Sequence, residues 1–271
     1  MPEHHFTLLH YAGRSGDHND LAIAASPYLT EEISAFLKIQ PSSIGSPEPA
    51  LNKGWKEELE AALPNLKLFA REVDKVFIEN RKPVIVLSRC SVALATIPII
   101  VKHRPDVVVV WFDAHGDINV PKNEIDFLGG LALSGPLGLW DSGLGSGLSS
   151  GNAILAGARD IDPPEQKRIN EGIVKLVSPG EGFTERLVKE IRGKPVYVHI
   201  DCDVLEPGIV PTDYKVPNGL DLKELYDVLV ALSNTSDIVG VQIAELEADS
   251  TTQGTQKAVR SLLEVIRPLL A

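Results

Sequence analysis

Two short acidic clusters, Asp113-Ala114-His115-Gly116-Asp117 and Asp201-Cys202-Asp203, carry residue types that hold divalent cations: four carboxylates and one imidazole. Each cluster ends an apolar, β-rich run. Val107-Val108-Val109-Val110-Trp111-Phe112 precedes the first and Val196-Tyr197-Val198-His199-Ile200 the second. Such runs read as strands buried on both faces. Side chains alternate along an extended chain, so Asp113, His115 and Asp117 are expected on one side, and Asp201 with Asp203 on another. All five groups then meet at the carboxyl edge of a sheet, where open α/β folds bind their ligands.

The elements that must position these groups alternate along the chain. Residues 6–10, 84–87, 107–112, 153–156, 174–177, 196–200 and 238–244 read as strands, and helical patterns cover 55–78, 91–103, 184–191, 222–232 and 256–270. This order predicts an α/β fold with three layers: a central, mainly parallel sheet flanked by helices on both faces. The stretch 40–53, with its Pro and Ser, reads as a surface loop. In the Gly-rich segment 128–151, Leu131, Leu133, Leu137, Leu139 and Trp140 are interleaved, which predicts a packed segment lining the site rather than a linker.

With 271 residues and no internal repeat, the chain is expected to form a single domain over 1–271. Twenty-six basic against 37 acidic residues give a formal charge of −11, which disfavours nucleic acid and anionic membrane as partners. Two cysteines, no leader-like N-terminus and no apolar run of spanning length predict a cytoplasmic protein without a disulfide framework. Its expected partner is a small molecule, with homo-oligomerisation left open.

The ordered landmarks resemble the arginase and agmatinase (ureohydrolase) family: Asp113 to Asp117, Asn119, Arg159-Asp160-Ile161-Asp162, Asp201 to Asp203 with Pro207, and Glu245. An Asp-x-Asp alone is weak, but these landmarks in order span most of the chain. The resemblance implies a hydrolase in which two Mn2+ ions activate water against a guanidinium carbon, giving urea and an amine. It places Asp113 and Asp201 on both ions, Asp117 on the first, and His115 and Asp203 on the second. Asp117 would also relay a proton. Glu245 would face the substrate guanidine, with Asn119, Asp162 and Glu165 near its amino-acid end. Carboxylates with an imidazole suit manganese.

Two positions depart from the family pattern. Where the family has a histidine ligand in a Gly-Gly-Asp-His context, this chain reads Leu87-Ser88-Arg89-Cys90-Ser91, so Cys90 is the candidate ligand of the first ion. A soft thiolate suits zinc or iron better than manganese, which predicts a weak or altered first site. Where arginases carry Leu-His-Gly, the chain has Leu128-Gly129-Gly130. Gly129 removes a proton shuttle and vacates volume beside the substrate. This combination is most similar to the branch of the family that hydrolyses Nω-hydroxy-L-arginine to L-ornithine and hydroxyurea. An N-hydroxyl lowers the basicity of the guanidine, so turnover would depend less on a histidine.

Other readings stay open: an arginase, an agmatinase or a hydrolase of another guanidino compound, a mononuclear deacetylase-like enzyme, or a non-catalytic metal-binding protein. Gly16-Asp17-His18-Asn19 imitates the missing histidine motif but follows the wrong strand, and reads as a turn or an entrance loop. His4, His5, His10 and His103 read as surface or satisfied residues, His199 as a buried structural histidine and Cys202 as core.

Overall fold

In the computed structural model, which describes residues 5–121 and 125–271, alternate side chains of the central strands feed two separate cores. In β4 (Val108–Phe112), Val108, Val110 and Phe112 join one core, and Val109 and Trp111 the other. In β7 (Val196–Asp201), Val196, Val198 and Ile200 face the first and Tyr197 the second. A strand that buries both faces has no polar side to alternate with, which is why these runs are continuously apolar.

The other strands are β1 (Phe6–Tyr11), β2 (Ser42–Ile44), β3 (Lys82–Val86), β5 (Ala153–Ala156), β6 (Lys175–Val177) and β8 (Ile238–Ala244). They form one sheet in the order β2-β1-β3-β8-β7-β4-β5-β6, and every pairing is parallel. Parallel neighbours require crossovers, and helices supply them. Residues of α1 (Leu21–Leu37), α5 (Phe183–Ile191), α6 (Leu222–Thr235) and α7 (Thr252–Ile266) pack in the first core. Those of α2 (Trp55–Ile78), α3 (Ala93–His103) and α4 (Pro163–Asn170) pack in the second. No helix among the described residues is long and apolar enough to cross a membrane.

Several expectations are corrected. The segment 40–53 is not all loop: Ser42–Ile44 pairs with β1 as an edge strand, largely exposed and therefore without an apolar signature. Helix α1 was hidden by Pro27 in its interior and by the absence of a side-chain cap at its start. The closing helix begins at Thr252, where the Thr251 side chain accepts from Gly254 N–H, and it ends at Ile266 before a 3-10 turn over Arg267–Leu269. In the Gly-rich segment, Leu128 to Ser134 is buried, whereas much of the stretch after Leu137 is exposed. His4 lies outside the described residues.

Candidate metal centre

The four central strands, β3, β8, β7 and β4, are consecutive neighbours, and their carboxyl ends deliver Cys90, Glu245, Asp201 with Asp203, and Asp113 to Asp117. Register makes the convergence specific. Phe112 pairs with Ile200, so Asp113 stands beside Asp201, and Asp201 pairs with Ala244, so Glu245 is next along β8. Extended alternation is not what gathers these side chains, because both strands end first. Cys202–Val204 turns into a 3-10 helix whose first turn is closed by Asp203 N–H donating to Asp201 Oδ1 at 2.7 Å. Asp117 and Glu245 take left-handed φ of 53° and 64°. A non-glycine residue held there costs on the order of 1 kcal/mol, a strain typical of functional sites.

Asp113 accepts from Trp111 Nε1 at 2.8 Å and from His115 N–H at 2.6 Å. His115 Nδ1 lies 3.2 Å from Asp113 Oδ1 and 3.1 Å from Asp203 Oδ2. Asp203 Oδ1 accepts from Ala114 N–H at 3.0 Å. Asp113, His115 and Asp203 thus offer three ligand atoms within 4.8 Å of one another. Burial would lower the His115 imidazole, but hydrogen bonds to Asp113 and Asp203 push it up to about 12. Burial, then the charge of Asp113, drives Asp117 well above the usual carboxylate range, and burial followed by Asp203 does the same to Asp201. Asp117 stands outside the tight triads and lines the adjoining cavity.

Cys90 is 2% exposed, with Sγ 3.1 Å from both Asp201 Oδ2 and His199 Nε2. Burial, then Asp201, raises its thiol well above the ordinary range. Two triads with the geometry to hold a metal ion include it, Cys90–Asp201–Glu245 and Cys90–Asp113–His199. The hydrogen bonds argue against His199 as a ligand in the second. Gln242 Oε1 accepts from Thr96 Oγ1 at 2.6 Å and from Tyr197 OH at 2.8 Å, which aims the amide nitrogen at His199 Nδ1, 2.6 Å away. Nδ1 then accepts, Nε2 carries the proton, and its N–H donates to Cys90 Sγ. His199, stacked on Trp111 at 3.5 Å and lowered to about 3 by burial, is a neutral donor to Cys90 Sγ, whose own thiol proton points to Asp201 Oδ2.

The donor set fits a cationic centre. Asp113, Asp117, Asp201 and Asp203 are each at most 8% exposed and crowd one another, and His115 is the base in the triad with Asp113 and Asp203. Buried like charges of this density require cations or protons. A proton shared by His115 between two carboxylates occupies a position suited to a metal.

A cavity of about 200 Å3 adjoins the cluster, lined by His115, Asp117, Asn119, Asp162, Glu165 and Tyr214 among others. Asn119 Nδ2 donates to Asp162 Oδ2 at 2.8 Å, while its Oδ1 is buried without a partner. Glu165 is committed to backbone, accepting from Ile118 N–H at 3.0 Å and from Asp162 N–H at 3.1 Å in the capping box of α4. Burial still pushes it up to about 7. Gly129 corrects an expectation: the volume beside it is not vacant, since an added Cβ would fall 2.4 Å from the Phe127 ring. Phe127 lies tilted against His18 with ring centroids 4.1 Å apart, and Tyr214 stands edge-on to His115 at 5.0 Å. His18 therefore stands at the aromatic rim of the cavity.

Sequence reasoning missed Arg89. It is 1% exposed, donates from Nη1 to Glu245 Oε2 at 2.7 Å and from Nε to Asp17 Oδ1 at 3.0 Å, and reaches Glu247 Oε1 at 3.3 Å. Cys90 N–H donates to Glu245 Oε1 at 2.7 Å. Burial pushes the Glu245 carboxyl up to about 7 against the pull of Arg89. The available signal was a cation next to the candidate ligand Cys90.

With these acidic residues gathered at the ends of its central strands, the chain belongs to the arginase family, whose model matches residues 48–267. It is an arginase-family hydrolase. The chain is 37% identical to the Nω-hydroxy-L-arginine amidinohydrolase of Streptomyces lavendulae over 226 residues, covering 83% of this chain and 82% of that protein. Against the arginase of Bacillus subtilis the identity is 24% over 233 residues, covering 79% and 77%. The fold matches the arginase of Bacillus caldovelox with a TM-score of 0.82 at 21% identity, covering 96% and 97% of the two chains.

Proposed function

We propose that the protein hydrolyses Nω-hydroxy-L-arginine to L-ornithine and hydroxyurea. The observation that carries the substrate is the 37% identity to an Nω-hydroxy-L-arginine amidinohydrolase, against 24 to 27% to several arginases. Two divalent ions, Mn2+ by preference, are assigned to Asp113, His115, Asp117, Asp201, Asp203 and Cys90. When bound, they would supply Lewis acidity and lower the pKa of water toward neutrality.

The chain's own residues then bind, orient and move protons. Glu245 accepts N–H groups of the guanidine. Asn119 Oδ1, buried without a partner, is an acceptor for the substrate ammonium, and its Nδ2 is held by Asp162. Glu165 fixes the backbone at Ile118 and Asp162 on which Asn119 depends. The oxygen of water adds to the guanidine carbon, and the bond from that carbon to Nδ of the ornithine part breaks. Asp117 passes the proton of that water to the departing nitrogen. Phe127 and Tyr214 narrow the mouth and limit the access of bulk water. A cytoplasmic setting belongs to the same reading, and both cysteines are free.

Ornithine release from Nω-hydroxy-L-arginine and from L-arginine, measured in parallel on manganese-loaded protein of known metal content, tests the reading. Strong preference for the hydroxylated substrate is expected. Preference for arginine, or silence on both, would overturn it.

A further inference from the structure

The carboxylate assigned to the substrate guanidine already carries a guanidinium belonging to the chain. Arg89 Nη1 donates to Glu245 Oε2 at 2.7 Å, and Cys90 N–H donates to Glu245 Oε1 at 2.7 Å. Each oxygen of Glu245 has thus used one acceptor direction and keeps one. Arg89 also pairs with Asp17 and Glu247, and Asp213 Oδ2 stands 3.6 Å from its Nη1. Of these four carboxylates, Glu245 is the one that also joins Cys90 and Asp201 in a ligand triad. Asn19 Nδ2 donates to Glu247 Oε1 at 2.8 Å, so the loop after β1 is tied into the same network.

A guanidinium remains charged in any protein environment, so the cation beside Glu245 is permanent. The carboxylate can still accept N–H groups. It rewards a second positive charge less than an unpaired carboxylate would, because Arg89 repels any guanidinium held against the same oxygens. We propose that Arg89 is a positioning residue that sets substrate specificity. By holding Glu245 and offsetting its charge, it biases the site toward a weakly basic guanidine, which gives up its proton readily, and against a strongly basic alkylguanidinium. The inference rests on the reading of Glu245 as the guanidine partner, and it deepens that reading by naming the charge class of the substrate.

Three variants of the metal-loaded full chain test it, with metal content measured for each. Arg89→Lys keeps the charge. Arg89→Gln combined with Glu247→Gln removes the cation together with one of its carboxylates. Glu247→Gln alone keeps Arg89 while removing a carboxylate that competes for it. Two ratios are read: calorimetric affinity for N-hydroxyguanidine against guanidinium ion, and kcat/KM for Nω-hydroxy-L-arginine against L-arginine.

The double variant should move both ratios at least tenfold toward the cationic ligand, mainly through KM. Glu247→Gln alone should move them about threefold the other way, and Arg89→Lys should leave them within about threefold of wild type. An Arg89 with only a structural role would depress both ligands alike and leave the ratios fixed, which would overturn the inference. Should the double variant fail to fold, unchanged ratios in Glu247→Gln overturn it just as well. Wild-type silence on the hydroxylated amino acid would sink the substrate reading by itself, and the binding ratios would still decide the role of Arg89.

Discussion

Cys90 is the candidate ligand at which the proposed centre departs most in chemistry from an all-oxygen-and-imidazole manganese site. Its thiol is buried, receives the His199 N–H and lies against Asp201, so a bound cation must displace the thiol proton from low-dielectric surroundings. Cys90→His would restore a ligand better matched to manganese. It should raise Mn2+ affinity of the first site on the order of tenfold, read by metal titration, and it should lower zinc retention. Unchanged manganese affinity would mean that Cys90 does not ligate. Glu245 makes the complementary case. Glu245→Gln keeps an acceptor for Cys90 N–H but removes the charge, so metal content should stay near wild type while kcat/KM falls on the order of a hundredfold. Turnover at the wild-type rate would contradict its proposed contact with substrate.

At the scale of elements, the turn after β7 must be held against the strand ends beside it, and Arg159 does this. Its Nη2 donates to Asp203 O at 3.0 Å and to Val216 O at 2.8 Å, its Nη1 to Gly157 O at 3.1 Å, and its Nε to Pro217 O at 3.0 Å. One side chain thereby bonds carbonyls from three segments. Arg159→Met would strand several of them and should cost on the order of 2 kcal/mol, seen as a lower urea midpoint together with weaker metal binding at the Asp203 position. A midpoint equal to wild type would remove it from this role. The same turn shows what the sequence could and could not reveal. Apolar runs ending in Asp113 and Asp201 identified the strands and the edge on which the acids stand. Alternation beyond the strand ends was the wrong reason for their convergence, since a 3-10 turn and left-handed φ at Asp117 and Glu245 aim them instead. Arg89 between Asp17 and Glu245 depends on contacts between distant segments that no local pattern encodes, and the ring of Phe127, only two residues before Gly129, is turned onto that glycine by a loop conformation that residue types alone do not specify.

Across the whole molecule, buried titratable groups pull stability in opposite directions as the pH falls. Glu165, pushed up to about 7 by burial, takes up its proton in the native state before an unfolded carboxyl does, so it favours the fold as pH drops below about 7. His10 works the other way. It sits in β1, 5% exposed, with Nε2 2.9 Å from Ser26 Oγ of α1 and Nδ1 3.2 Å from Ser43 Oγ of β2. Burial lowers it from 6.5 to about 4. The unfolded chain therefore protonates first: the His10 contribution is complete above about pH 6.5 and is lost as the pH falls toward 4. From pH 7.5 to 5.0 the loss is roughly 2 kcal/mol. His10→Gln removes the titration while retaining a polar side chain for the two serines. In metal-free protein, the stability difference between wild type and variant, from urea unfolding at the two pH values, should shift by about that amount in favour of the variant at pH 5.0. The carboxylates cancel in this comparison because both proteins share them, so a difference independent of pH would show that His10 titrates alike in the folded and unfolded chain.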